Sequence, residues 1–232
     1  MLKKLLLTLL ALLLFGVIAM FVYLGAPYDP DASPYIDMEP PDNLVRTIYN
    51  PIAQNRTTFV EMSSETGGEY TLLEIDLEPG GGNELHYHGQ FSETFTAVSG
   101  TLGLEIDGEE FLLEEGERAV AGRYQEHRFF NPGDEPVTFE VKIEPGSPGF
   151  EKALYILYGL ANDGLTDDQT IPLDPHHTGI FVVYSDTRSS TVRGRILGAL
   201  VHRFAGRAQR ESIESELIER YYLGVTEPNE ES

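Results

Sequence analysis

The sequence predicts an all-β domain set between a long apolar helix and a helical C-terminal region. Three observations carry this. Between Leu44 and Pro145, short runs recur that largely alternate apolar and polar residues, each bounded by Gly, Pro, Asn or Asp: TFVEM, YTLLEIDLEP, ETFTAVSG, TLGLEIDG, EEFLLEEG and VTFEVKIEP. The 232 residues include 23 glycines and 14 prolines, a turn-rich composition that favours sheets over a helical bundle. After Pro145 the spacing of apolar residues changes from period two to helical.

Taken in order, Lys3 and Lys4 precede an uncharged run from Leu5 to Leu24. About 20 apolar residues suffice for an α-helix to cross a bilayer. The lysines predict a cytoplasmic start, with the rest of the chain directed outward. The competing reading is a cleaved signal sequence, but Tyr23 and Leu24 are poor residues ahead of a cut near Gly25 or Ala26. The expectation is therefore a retained anchor over residues 1–25, in a single-pass membrane protein whose C-terminal domain is extracytoplasmic; the alternative is a secreted protein. Residues 26–43 are rich in Pro and Asp and read as an extended linker.

The β-domain is expected over residues 44–146. Leu102, Leu104 and Ile106 alternate with Gly103, Glu105 and Asp107, which gives one buried and one wet face, and Asp107-Gly108 is a two-residue hairpin turn. No strand unit repeats, so one barrel or sandwich is expected. Residues 147–232 form the helical extension. FEKALYILYGLAN (150–162) is a helix stopped by Asp163-Gly164, and TGIFVVYSDT (178–187) is either a buried strand or a short helix.

Six arginines and no acid lie between Arg188 and Arg210, with an apolar stripe of Val192, Ile196, Leu197, Leu200, Val201 and Phe204. This segment either packs its stripe on the barrel and pairs its arginines with acidic barrel surface, or lies on anionic lipid. A last helix runs to Tyr222. The formal net charge of −22 argues against a nucleic-acid partner, since phosphate contacts need basic surface. The absence of cysteine removes disulfides, thiolate metal sites and a cysteine nucleophile.

The chemistry concentrates in GGGNELHYHGQFSETFTAVSG (80–100). In a strand, residues two apart share a face, so His86 and His88 point together and Glu84 joins them. Glu93, on the next strand, can sit opposite the pair, with Phe95 and Ala97 in phase. His127, on a later strand, would complete a set of imidazoles and a carboxylate suited to a first-row transition metal. Phe129 shares the phase of His127, whereas Tyr87 and Arg128 face away. The adjacent His176 and His177 in DPHHTG read as loop residues, and His202 as a surface residue.

The spacing of these residues resembles the cupin family. Gly80, five residues, His86, one, His88, four, Glu93, six and Gly100 match its first motif. Gly116, five residues, Gly122, one, Tyr124, two, His127, three and Asn131 match the spacing of its second. Gly122 and Tyr124 depart from the proline and glycine usual at those two turn positions. The chain before the first motif (Asn50-Pro51, TTFVEM, ETGGEY) and the tail FEKALYILYGLANDG resemble small single-domain members.

The resemblance implies a jelly-roll cupin barrel and metal-binding positions at His86, His88, Glu93 and His127. It implies one divalent transition metal, Fe, Mn, Ni, Cu or Zn. Tyr124, Gln125 and Glu126 fall beside the metal mouth; Tyr124 joins Glu84, Phe95 and Phe129, which are in phase with the ligands, as the candidate substrate-binding residues, the two phenylalanines also being the filling expected of a small barrel. The implied function is a metal-binding cupin that binds or acts on a small organic molecule, as a dioxygenase or an isomerase. The alternative is a non-catalytic, membrane-associated binding or sensor module. Cupins often pair through barrel edges, so a homodimer is also implied.

Overall fold

The computed structural model describes residues 2–189 and 192–225, with the side chains of residues 2 and 192–197 left undescribed. In chain order it begins with helix α1 (Leu2–Leu24). Ten strands follow: β1 (Thr47–Asn50), β2 (Asn55–Glu61), β3 (Thr71–Leu77), β4 (Tyr87–His88), β5 (Ser92–Ser99), β6 (Leu102–Ile106), β7 (Glu109–Leu113), β8 (Arg118–Ala121), β9 (His127–Phe130) and β10 (Val137–Glu144). The C-terminal part holds α2 (Pro148–Asn162), α3 (Pro175–Ser185), the short strand β11 (Thr187–Arg188), α4 (Val192–Arg210) and α5 (Ile213–Ile218), which runs on into a π-turn at Glu219–Leu223.

The alternation seen in the sequence becomes burial. Leu73, Ile75 and Leu77 on β3 and Val137, Phe139, Val141 and Ile143 on β10 face the core. Each fully buried side chain of this size contributes about 1.5–3 kcal/mol. Six strands form one antiparallel sheet in the order β1-β2-β3-β10-β5-β8, and three form a second in the order β7-β6-β9. The Phe129 ring of the small sheet lies 5.0 Å from that of Phe139 on the large one, so the two sheets share one core. Asp107 and Gly108 both take positive φ between β6 and β7, as the tight hairpin requires.

Three expectations need correction. The sheets do not close into a barrel through a continuous ladder. Along the edge that carries the histidines, among the described residues, isolated bridges tie the segment before β4 to β9, Gly82 with Phe130 and His86 with His127, in place of a ladder. The stretch expected to be strand up to His88 is strand only at Tyr87–His88, because Pro79 and three consecutive glycines hold no ladder there. The TGIFVVYSDT segment is helix α3. Asp174 caps it by accepting from His176 N, with Pro175 in the first turn, so His176 and His177 are helical and not loop residues.

Helix α2 starts as its sequence dictates, with Ser147 as N-cap and Pro148 in the first turn. Helix α4 does not lie on the sheets. It packs against α3, where a Cβ on Gly179 would come 2.6 Å from Ala205 N, so glycine is needed for the close approach. Of the expected apolar stripe, Val192, Ile196 and Leu197 lie outside the described side chains. Leu200, Val201 and Phe204 are partly buried, while Ala205 and Ala208 are fully so.

The arginines of α4 with described side chains, Arg203, Arg207 and Arg210, do not pair with acidic sheet surface either, and Arg193 and Arg195 lie outside the described side chains. Arg203 donates to Gly25 O, Arg207 to Tyr23 O at 2.6 Å, and Arg210 to Leu24 O and to Ala26 O at 3.0 Å. These carbonyls belong to the end of α1 and the residues after it, where a helix leaves its last acceptors unsatisfied. Arg207 also lies over the Tyr23 ring and Arg203 over that of Phe21. The Pro- and Asp-rich chain that follows α1 is fastened to the same layer, with Tyr28 N donating to His202 O and Val45 N to Val225 O.

Candidate metal centre

Glu93 occupies a core-facing position of β5, in line with Phe95 and Ala97, where the pattern otherwise calls for an apolar residue. His127 opens β9 and His88 closes β4, and both are buried. His86 lies just before β4, held by a reciprocal pair of bonds with His127: His86 N to His127 O at 3.1 Å and His127 N to His86 O at 2.7 Å. One nitrogen from each imidazole and one oxygen of Glu93 come within 4.8 Å of one another. The four residues that the sequence singled out therefore converge, although the strand carrying two of them is largely absent. His86 is the least buried of the four, so solvent approaches the cluster from its side.

Hydrogen bonds fix the tautomers. His86 Nδ1 meets Glu84 O at 2.7 Å, His88 Nδ1 meets Ser185 O at 3.0 Å, and His127 Nδ1 meets Gln125 O at 2.9 Å. A carbonyl oxygen only accepts, so each Nδ1 carries a proton and donates it. A neutral imidazole then presents Nε2 as a bare lone pair. His88 Nε2 is buried, lacks a hydrogen-bond partner, and stands 3.8 Å from Glu93 Oε2. Three outward-held Nδ1–H groups, an orphaned buried lone pair and a buried carboxylate fit a divalent transition ion.

His127 Nε2 lies 2.6 Å from Glu93 Oε2, a charge-assisted bond that needs a second proton on the His127 ring. The charges agree. Burial drives His86 down to about 3, with His88 and His127 adding to the effect. Burial likewise lowers His88. Burial would push Glu93 up, but the His127 hydrogen bond and the neighbouring imidazoles outweigh it and hold the carboxyl at about 2. Burial opposes the charge on His127, yet its bond to Glu93 wins and raises its pKa.

An ion that takes Nε2 of His127 must displace that proton. The pKa of His127 is raised, so the competing proton persists above the ordinary value and is lost only as pH rises through the raised one. The expected result is a metal affinity that climbs about tenfold per pH unit below the raised His127 value and levels above it, with close to one proton released per ion bound in the climbing range. Isothermal titration with Zn(II) in two buffers of different ionisation enthalpy measures the proton. A flat affinity over this range would contradict the assignment.

The surrounding candidates separate. The Phe95 ring is 5.9 Å from His127, and Phe129 lies behind it at 6.3 Å. Tyr124 is 66% exposed at the rim, and its N–H donates to His88 O at 2.7 Å. Its φ of +66° is the left-handed conformation that glycine takes freely, which is the residue the family prefers there. Gly122 N donates to Gln125 Oε1 at 2.8 Å, a bond that a proline at this position could not make. Glu84 is exposed and its carboxylate accepts from Gln169 at 3.3 Å, because residue 84 precedes the strand and the two-residue phase does not reach it.

Sequence reasoning missed the aromatic wall and the C-terminal residues. Phe91 stacks on His88 at 4.4 Å, and Phe150, from the first turn of α2, meets the same ring edge-on at 5.9 Å. Asp186 and Ser185, at the end of α3, reach the loop after His88. Their only sequence signal was Asp186 following an apolar run, which is also what a helix end looks like.

Residues 73–144 match the Cupin_2 family, described as a cupin domain. The chain is 34% identical over 77 residues to the tetracenomycin polyketide synthase protein TcmJ of Streptomyces glaucescens, covering 33% of this chain and 52% of that protein. It is 31% identical over 85 residues to the alginate biosynthesis protein AlgA of Pseudomonas putida, covering 37% of this chain and 17% of that protein. The chain thus spans about half of one relative's length and less than a fifth of the other's. Among solved structures, the Cupin_2 domain of an XRE family transcriptional regulator from Enterobacter cloacae is 23% identical, with a TM-score of 0.36 over 39% of this chain and 96% of that one.

Proposed function

We propose that the chain is a mononuclear metal cupin that binds and transforms a small organic molecule, with His86, His88, Glu93 and His127 as metal ligands. The observation that carries this reading is the unpartnered, buried Nε2 of His88, gathered with one nitrogen each of His86 and His127 and one oxygen of Glu93. Three imidazoles and one carboxylate suit Fe(II), Mn(II), Ni(II), Cu(II) or Zn(II). Such an ion supplies Lewis acidity or dioxygen activation at positions left open by the protein, chemistry that belongs to isomerases and dioxygenases. The protein's own residues hold the imidazoles by Nδ1, keep water from three of the four ligands, and present Phe95, Phe129 and Tyr124 to a ligand that enters beside His86. Relatives named for polyketide and alginate biosynthesis support an organic ligand.

Helix α1 is long and apolar enough to cross a membrane, or to act as a signal sequence. In this reading it is a retained span over residues 1–25, residues 26–43 connect it to a cupin domain at 44–146, and the extension 147–232 lies on the extracytoplasmic side. A membrane-bound sensor that only holds its ligand is the second reading. It is favoured by the contact of α4 with both α1 and α3, which joins the anchor to the wall of the site.

The test is elemental analysis of the full chain in detergent, followed by azide and nitric oxide titration of the metal-loaded protein. Stoichiometric metal with spectral shifts on adding either ligand is expected, because a working site keeps open positions. A closed, unresponsive site would remove the catalytic reading, and a chain that takes up no transition metal would remove the metal reading as well.

A further inference from the structure

We infer that Asp186 and the Ser185 carbonyl, on the turn that ends α3, are positioning groups for the metal ligand His88. The inference rests on the metal reading above and deepens it, because it assigns part of the site to the C-terminal extension and not to the cupin domain.

Helix α3 ends at Ser185, and Asp186 adopts the left-handed conformation, φ 50° and ψ 26°. A non-glycine residue is uncommon there, though Asp is among the better tolerated, so its side chain is worth examining for a role. Asp186 has one. Its Oδ2 accepts from Gly89 N at 2.6 Å and from Gln90 N at 2.8 Å. These two amides belong to the loop that leads from His88 to Glu93, so one carboxylate oxygen holds the only covalent path between two ligands. The other oxygen, Oδ1, is gripped by Arg188 through Nε at 3.0 Å and Nη2 at 2.7 Å. Asp186 is buried and cannot swing away.

The same turn fixes the ring itself. Ser185 O receives the Nδ1 proton of His88 at 3.0 Å. The backbone then continues as β11, which pairs antiparallel with β4, Thr187 opposite His88 and Arg188 opposite Tyr87. Gly89 completes the fit, since a Cβ there would meet the Tyr124 ring at 3.0 Å and Asp186 Oδ2 at 3.4 Å. His86 and His127 take their Nδ1 acceptors from carbonyls two residues away in their own loops, whereas His88 takes its acceptor from 97 residues downstream. Partners of this kind set the ring orientation and basicity of a metal-bound histidine, and their loss costs about 10–100-fold in metal affinity.

The test is Co(II) titration of the full chain in detergent, read by the visible spectrum of the bound ion, with D186A, D186N and D186S. D186A is expected to weaken Co(II) binding by about 10–100-fold and to shift the visible bands, because His88 and the loop to Glu93 lose their hold. D186N keeps an oxygen for the two loop amides and is expected to stay within a few-fold of wild type. That rescue would not follow from a general loss of stability. If D186A does not fold, D186S carries the test, since its hydroxyl is too short to span both amides and should behave as D186A is expected to. A folded D186A or D186S with wild-type affinity and spectrum overturns the inference. A wild-type chain that binds no Co(II) overturns the metal reading, and the inference falls with it.

Discussion

Replacing His88 by alanine is expected to abolish stoichiometric metal binding and to leave a folded domain. The ligand is lost together with its Nδ1 bond to Ser185, and the remaining set has two imidazoles and a carboxylate, so affinity should fall by on the order of a hundredfold or more. The structural cost is a cavity beside Phe91 and Phe150, which line the ring. Large-to-small changes in such sites cost about 2–5 kcal/mol. The core built by β3, β5, β10 and α2 extends well beyond Phe91 and Phe150, so the domain should still unfold cooperatively, with a lower midpoint. Circular dichroism melts beside elemental analysis check both halves. A variant that retains metal would show that His88 is not a ligand, and a variant that cannot fold would make the ion a structural one.

The second large effect is expected at Glu214, far from the metal cluster. Its Oε1 accepts from Tyr28 at 2.6 Å, from Ser33 at 2.7 Å and from Tyr184 at 2.7 Å. Three segments therefore meet on one buried oxygen: the chain after α1, the C-terminal turn of α3, and α5. Burial drives the Tyr184 hydroxyl strongly up, and burial with the Glu214 bond raises that of Tyr28, so both remain donors at any working pH. Glu214→Ala leaves these hydroxyls without an acceptor and opens a void, and should destabilise by about 3–5 kcal/mol. Glu214→Gln keeps a neutral acceptor oxygen and should cost about 1–2 kcal/mol. Urea unfolding of the two variants beside wild type measures the difference. A loss below about 1 kcal/mol for the alanine variant would show that water replaces the carboxylate.

Much of the fold was legible because alternation and turns are local. Leu73-Ile75-Leu77, Val137 to Ile143 and Asp107-Gly108 lie where their patterns place them. The convergence of the cluster was legible for a different reason: a carboxylate at the core-facing position of β5 contradicts the apolar pattern around it, and such contradictions mark sites. The exposed position of Glu84 was not legible, because the two-residue phase holds only within a strand and the glycines before it hold none there. His176 and His177 misled because their adjacency drew attention from Asp174-Pro175, a helix start in plain view. Asp186 was out of reach, since nothing local in SDTR says which distant amides it will hold. The same is true of Arg203, Arg207 and Arg210, whose acceptors are backbone carbonyls and carry no residue signature.

Gly206 sets how these arginines meet their targets. A Cβ there would fall 2.4 Å from Ala26 O and 2.5 Å from Pro27 C, so the backbone just past α1 lies directly against α4. If α1 spans a bilayer, as proposed, the domain beyond it would not swing on a flexible tether, despite the prolines and aspartates that follow. Its tilt would then be set by one bare α-carbon and three guanidinium groups, and the mouth beside His86 would keep a constant bearing to the lipid surface. A ligand would then meet this protein at a defined height and angle, and a single methyl group at residue 206 would be enough to change both.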